Sequence, residues 1–240
     1  MKKFLAAMLA AGSLLISTSA DAEVRTYEGS DEYYVLGAVE NINVARERAR
    51  EKAIRNAREK AGVYVQSYTH TKNFKLVEDE VIILASGVLR VIETNYETET
   101  LPDAKGYLIR ATVKADIDTD DLLTWLRKDV EEISNLVAED KVIRLNEAEQ
   151  ERKIETLKQE YVQAATPQEK EVIAAQIVEE DKVFLSNLKL REGNKYRDAG
   201  NHKRAAELFT EAIELNPSNV IAWHNRGRAY AEQKKYSQAL

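Results

Sequence analysis

Small apolar residues recur at every fourth position from Ala45 through Ala49, Ala53 and Ala57 to Ala61. With Ile42 and Ile54 they form a narrow stripe along one side of a helix, because residues four apart stack on one face. Asn41 or Asn43 supplies a capping oxygen at its start, and Gly62 tolerates the left-handed end. An alanine stripe of this kind lets a helix lie close on a sheet. The flanking pattern predicts that sheet. Val24 to Tyr27 reads as a short strand closed by the turn-prone Gly29-Ser30-Asp31, and VYVQSYTHT after Gly62 reads as a second strand. Val77 to Ser86 predicts a short helix with Val81, Ile82 and Ala85 inward and Gly87 as its stop. Residues 89–100 alternate, LPDAKG makes a turn, and Tyr107, Ile109, Ala111, Val113, Ala115 and Ile117 share one face of a closing hairpin strand. The expected fold class is α+β, a two-layer β-α-β-α-β-β domain over residues 23–119.

Beyond that domain the apolar period becomes helical. Asp118, Thr119 and Asp120 offer capping oxygens for a helix starting near Leu122, and no Gly or Pro follows until past Ala165. Apolar residues recur at Leu122, Leu126, Val130, Ile133 and Val137, thin out over 144–153, and return at Ile154, Leu157 and Tyr161. Thr166-Pro167-Gln168-Glu169 then marks a new helix with a capping box and proline in its first turn. It carries the apolar residues Val172, Ile173, Ile177, Val183, Phe184 and Leu188 and runs towards the first repeat. Residues 120–187 therefore predict a charged helical spacer. It is either an antiparallel hairpin about Thr166-Pro167 or a coiled coil through which two chains self-associate. The interrupted heptad at Asp140 favours the hairpin.

Residues 188–240 repeat. Gly193 aligned with Gly227 sets an offset of 34, at which Tyr196 falls on Tyr230, His202 on Tyr236 and Ala205 on Ala239. The first unit carries Gly193, Tyr196, Gly200, Ala205, Phe209, Ala212 and Pro217; the second carries Trp223, Gly227, Tyr230, Tyr236 and Ala239. This period and these small residues resemble the tetratricopeptide repeat, which implies stacked antiparallel helix pairs. Gly193, Ala205 and Ala212 would let paired helices approach, Tyr196, Phe209 and Trp223 would fill the space between them, and Pro217 would follow a helix end. The first helix of each unit would line a groove for a protein or peptide partner through Leu190, Asn194, Arg197, Ile221, His224, Asn225 and Arg228. Asn194 and Asn225 match two asparagines with which chaperone-type repeats hold a peptide's C-terminal carboxylate; Leu190 stands where that clamp has a lysine. Roughly three units are needed for stability, and the second unit here ends inside its second helix, so the chain is expected to continue past Leu240.

Charge and composition then narrow the function. A net charge of −6 argues against a general nucleic-acid binder. With no cysteine there is no disulfide framework, no lipid-attachment cysteine and no thiolate metal site. Residues 1–22 read as a signal peptide: Lys2 and Lys3, an apolar run from Phe4 to Ile16, then Ala20-Asp21-Ala22 with cleavage after Ala22. The mature chain is then expected in the periplasm or outside the cell, without stable membrane insertion. His70, on the predicted second strand, stands apart from His202 and His224, and His202 takes a packing position. No phosphate loop, paired-His metal motif or nucleophile elbow occurs, so no cofactor, metal or catalytic residue is expected. Arg46, Arg50, Arg55 and Arg58 lie near Glu47, Glu51 and Glu59; a solvated face laced by helical pairs is the ordinary explanation, and binding of an anionic lipid or polymer is the other.

ARERAREKAIRNAREKAGVYV, a helix running into a strand, the second helix leading into ASGVLRVIE, and the hairpin GYLIRATVKADI together resemble the N-terminal domain of flagellar assembly protein T and the related small lipoprotein family of bacterial envelopes. The resemblance covers about residues 24–117 and implies envelope assembly through protein contacts, without catalysis. The expected function is an exported, non-enzymatic interaction scaffold of the cell envelope. The alternatives are a flagellar or outer-envelope assembly factor acting through the N-terminal domain, and the non-catalytic part of a longer enzyme.

Overall fold

The structure, a computed structural model, describes residues 23–37, 39–71, 77–101, 106–127 and 130–239. The signal-peptide reading of residues 1–22 and most of the LPDAKG turn lie outside them. β1 (Val24–Val35), β2 (Arg90–Thr100) and β3 (Tyr107–Asp118) form an antiparallel sheet in the order β1-β3-β2. Val24 pairs with Asp118 and Val35 with Tyr107, while β2 carries a bulge between Val91 and Glu93. The alternation predicted for β3 is observed: Ile109, Ala111, Val113, Ala115 and Ile117 are fully buried, and α1 (Ile42–Thr71) packs over them.

Two local expectations are corrected by this helix-on-sheet contact. Gly29-Ser30-Asp31 is not a turn, because β1 runs straight through it for 12 residues. A Cβ on Gly29 would collide with the Ala53 carbonyl and the Ala57 side chain. The glycine marks where the helix crosses the strand. Nor does Gly62 end the helix, and residues 63–71 are not a strand. The four-residue stripe of Ala45 to Ala61 continues through Val65 and Thr69, all buried, so tertiary burial holds the segment helical. Val63, with the same β propensity as Val65, points outward and is exposed.

α2 (Glu78–Val88) buries Val81, Ile83, Leu84 and Ala85 and runs past Gly87; Ile82, expected inward, is only half-buried. The order is therefore β-α-α-β-β, still two layers. α3 (Thr119–Leu126) starts where the Asp118 carboxylate accepts the Asp120 amide at 2.8 Å. Its Leu122 and Leu126 join the core under the sheet, so that core reaches beyond residue 119, and the helix ends at Arg127 instead of running on.

α4 (Val130–Gln163) and α5 (Pro167–Asp198) fold back on one another about Thr166. Asn187 donates to Gln150 at 3.0 Å, and Ile154, Leu157 and Ile177 cluster with Leu36 from the end of β1. This pair is not a spacer standing off the sheet domain. It packs against it. α5 then continues unbroken into the repeat, followed by α6 (His202–Leu215), α7 (Val220–Glu232) and α8 (Tyr236–Ala239). Among the described residues no helix is long and apolar enough to cross a membrane.

Candidate functional site

The repeat region is built on close approach. Gly193 on α5 faces Phe209 on α6, and a Cβ there would sit 2.5 Å from the Phe209 ring. Phe209, Ala205 and Ala212 are fully buried, as small and flat groups must be where two helices nearly touch. Gly200 turns the chain between α5 and α6 with φ +75, and the Asn201 side chain caps α6 by accepting from the Arg204 amide at 3.2 Å. α6 ends at Leu215, one residue before the capping Asn216, and Pro217 follows. Asn219 caps α7, accepting from the Ala222 amide at 3.1 Å, and donates to Ser186 at 3.0 Å. Ser186 in turn donates to the Ala212 carbonyl at 2.7 Å, so the turn before α7 is fastened to both preceding helices.

Not every repeat aromatic fills the helix interface. Tyr230 packs against the cluster, but Tyr196, Trp223 and Tyr236 are exposed. Trp223 instead donates its indole N–H to the Pro217 carbonyl at 3.0 Å and carries Arg226 4.3 Å above its ring. Gly227 lies under the Ala239 carbonyl, where α8 turns back on α7. His202 is half-buried, with Nδ1 enclosed and lacking a hydrogen-bond partner.

The seven residues predicted to line a groove divide into three kinds. Leu190 and Asn225 are buried, with 1% of their surface exposed, and are part of the packing. Asn225 donates to Asn194 at 2.9 Å, which ties α7 to α5 and engages both asparagines with each other. Ile221 is half-buried against the same cluster, and Arg197 bonds the neighbouring Asp198. His224 and Arg228 alone among the seven are open, four residues apart on one side of α7.

Sequence reasoning missed what orients this surface. Ile143 of α4 enters the repeat core beside Leu190, so α4 covers the start of the array as a preceding helix would. Arg48 of α1, 4% exposed, donates to the Asp181 carboxylate at 3.0 Å and to the Glu180 carbonyl at 3.3 Å, with Phe184 4.3 Å beneath its guanidinium. Burial raises the pKa of Asp181, and Arg48 opposes it. Lys158 of α4, 3% exposed, pairs with Glu40 at 3.0 Å and bonds the Tyr34 carbonyl, 3.7 Å from the Tyr33 ring. Burial lowers the Lys158 pKa and Glu40 partly offsets it; Tyr33, donating to Glu40 at 2.7 Å, is raised by its own burial. Arg191, on the repeat's first helix, reaches Glu51 of α1 at 2.8 Å and Glu147 of α4 at 3.3 Å. Burial pulls its pKa down, yet the two carboxylates more than compensate, so it is raised. No sequence period announces such pairs, because each joins residues from different elements.

No three His, Cys, Asp or Glu side chains converge as a metal site among the described residues. What the arrangement offers is a helical surface held at a fixed orientation on an α+β body. The comparisons agree with that geometry for one part of the chain. Serine/threonine-protein phosphatase 5 from Homo sapiens and from Rattus norvegicus are each 41% identical to it over 49 residues, 20% of this chain and 10% of theirs. Hsp70-Hsp90 organizing protein 3 from Arabidopsis thaliana is 42% identical over 48 residues, 20% of this chain and 9% of its own. The chain thus spans about a tenth of the length of these curated relatives. No solved structure matches. The family model for the tetratricopeptide repeat matches residues 190–240, and that stretch, with its Gly193–Phe209 contact and its α5 to α8 helices, is a tetratricopeptide repeat region.

Proposed function

We propose that the chain is an exported, non-enzymatic scaffold of the bacterial cell envelope that binds a protein partner through its repeats. The observation that carries the binding role is the tetratricopeptide match over residues 190–240, a repeat whose stacked helices present docking surfaces. The open side of α7, with His224 and Arg228, is the surface offered to that partner. Export is supported by the basic start, apolar run and small-residue site of residues 1–22. The test is affinity capture from an envelope extract with the chain lacking residues 1–22, beside a His224→Ala/Arg228→Ala variant that keeps the buried Asn194–Asn225 pair. A single partner retained by the first and lost by the second is expected; identical captures from both would overturn the reading. Fusing residues 1–22 to a reporter active only outside the cytoplasm tests export, and an inactive reporter would refute it.

A second reading is an envelope or flagellar assembly factor acting through residues 23–119. It is supported by the alanine-striped helix and closing hairpin that resemble the flagellar assembly protein T domain, although the strand that should follow the helix is helical here. A gene deletion leaving motility and envelope integrity untouched would remove it.

A further inference from the structure

The side of α1 that faces α4 and α5 borders a cavity of about 190 Å3. Arg48, Lys52, Arg55, Arg58, Arg144 and Arg191 all line it, so the basic residues of α1 are in part turned inward and are not simply a solvated face. Most of these cations already have a carboxylate. Arg48 takes Asp181 at 3.0 Å, Arg144 takes Asp140 at 2.8 Å, and Arg191 is shared by Glu51 and Glu147. Arg55 grips Glu151 with two nitrogens at 2.8 and 3.2 Å. Two cations are left over. Among the described residues neither Lys52 nor Arg58 has a carboxylate at ion-pair distance, and Lys52 Nζ only overlooks the Tyr33 ring at 5.5 Å.

Arg58 and the neighbouring Gln150 each carry an unmet donor here, and Glu147 Oε1, ion-paired with Arg191 but without a hydrogen bond, is an unmet acceptor on the same cavity. Arg58 Nε is enclosed without a partner, and so is Nε2 of Gln150, whose Oε1 already accepts from Asn187. An arginine nitrogen and an amide nitrogen only donate. Burial, reinforced by the nearby Arg191 charge, also pushes Arg58 below its usual pKa, while Asp140, Glu51 and Glu147, all beyond ion-pair distance of it, pull the other way. Six cations stand against the carboxylates of Asp181, Asp140, Glu51, Glu147 and Glu151, so one positive charge is unbalanced, and what is missing is an acceptor that carries negative charge. A cavity of about 150 Å3 already admits a benzene-sized molecule, so the present one has room for a phosphate group or a short dicarboxylate. A polymer or a membrane surface does not fit between three helices.

We propose that this cavity binds a small oxyanion, held by Lys52 and Arg58 of α1 and Gln150 of α4. Such a ligand bridges the sheet domain and the α4–α5 pair, and its binding stabilises the orientation of the repeats. The site is independent of the partner surface on α7.

The experiment is titration calorimetry and thermal melting of the whole chain with sodium phosphate and, separately, sodium succinate, in chloride at constant ionic strength. Saturable one-site binding with a rise in melting temperature is expected for at least one of the two. Binding to phosphate alone marks a phosphate-bearing ligand, and binding to succinate alone a dicarboxylate. Arg58→Met, with its helicity checked by circular dichroism, should weaken binding at least tenfold. If Arg58→Met does not fold, Lys52→Gln, at a half-exposed position, should weaken binding in the same way. Absence of saturable binding for both anions, or unchanged affinity in the folded variants, overturns the proposal.

Discussion

Arg48 and Asp181 lie 133 residues apart in sequence and bond at 3.0 Å in the fold, both almost sealed from water. One stands on the helix that covers the sheet, the other on the helix that becomes the repeat. A buried ion pair is costly to desolvate, so its intact contribution is small; removing one partner strands the other charge and costs about 3–5 kcal/mol. Arg48→Met alone, or Asp181→Leu alone, should therefore destabilise the chain by about that much. Arg48→Met combined with Asp181→Leu should recover most of the loss. Urea midpoints of the two single variants and the double variant check this, and a strictly additive cycle would refute the coupling.

The contact between Gly193 and Phe209 makes a steric prediction. Gly193→Ala places a methyl group 2.5 Å from a ring that has no surface exposed, so the helices must part. Overpacking of this kind costs about 1–3 kcal/mol. Phe209→Ala, which empties the same space, should cost about 3–5 kcal/mol. Adding Phe209→Leu to Gly193→Ala should restore part of the loss, since the smaller side chain can yield. Thermal melting monitored by helicity distinguishes these outcomes, and a neutral Gly193→Ala would show that the helices are not in contact there.

Where the sequence is legible and where it misleads follows from which residues set each element. The Ala45–Ala61 stripe, the alternation of Tyr107 to Ile117 and the Thr166-Pro167 start are local patterns, and the structure matches them. Gly29 and Gly62 mislead because a glycine reports either backbone freedom or lack of space, and only the neighbour decides. One signal is present: Val65 and Thr69 continue the four-residue period, which outweighs the β propensity of Val63, Tyr64 and Val65. Trp223 matches the repeat pattern, yet its exposure depends on Pro217 and Arg226 around it. The Arg48, Lys158 and Arg191 pairs leave no pattern at all. They turn a predicted spacer into a docked helical pair, and Arg48 and Arg191 line the cavity.

The start of α5 offers a smaller effect. Thr166 accepts the Glu169 amide at 3.2 Å, while Glu169 accepts the Thr166 and Ala165 amides at 3.0 and 2.9 Å. Those backbone bonds hold the Glu169 carboxyl below its ordinary pKa. Losing the capping hydroxyl in Thr166→Ala should cost about 1 kcal/mol. Thr166→Ser keeps the hydroxyl and should cost less. Chemical denaturation of both variants is the check, and equal losses would argue that the hydroxyl is not what matters.

Glu147 gives a pH dependence with a definite sign. It faces the cavity beside Arg191, and burial raises its pKa above the ordinary 4.5, with Arg191 opposing the shift. A raised folded-state pKa means that the folded chain holds this proton more readily than the unfolded chain. The resulting stabilisation is complete below pH 4.5 and is lost as pH rises through the folded value. Glu147→Gln removes the titration but keeps an amide of the same shape. Stability measured by urea denaturation between about pH 4 and pH 7 should therefore favour the wild-type chain most at the acid end, relative to the variant, and progressively less above it. Other groups titrate over the same interval, but they are common to both proteins and cancel in the difference. A difference that is flat, or that grows as pH rises, would mean that Arg191 outweighs burial at Glu147.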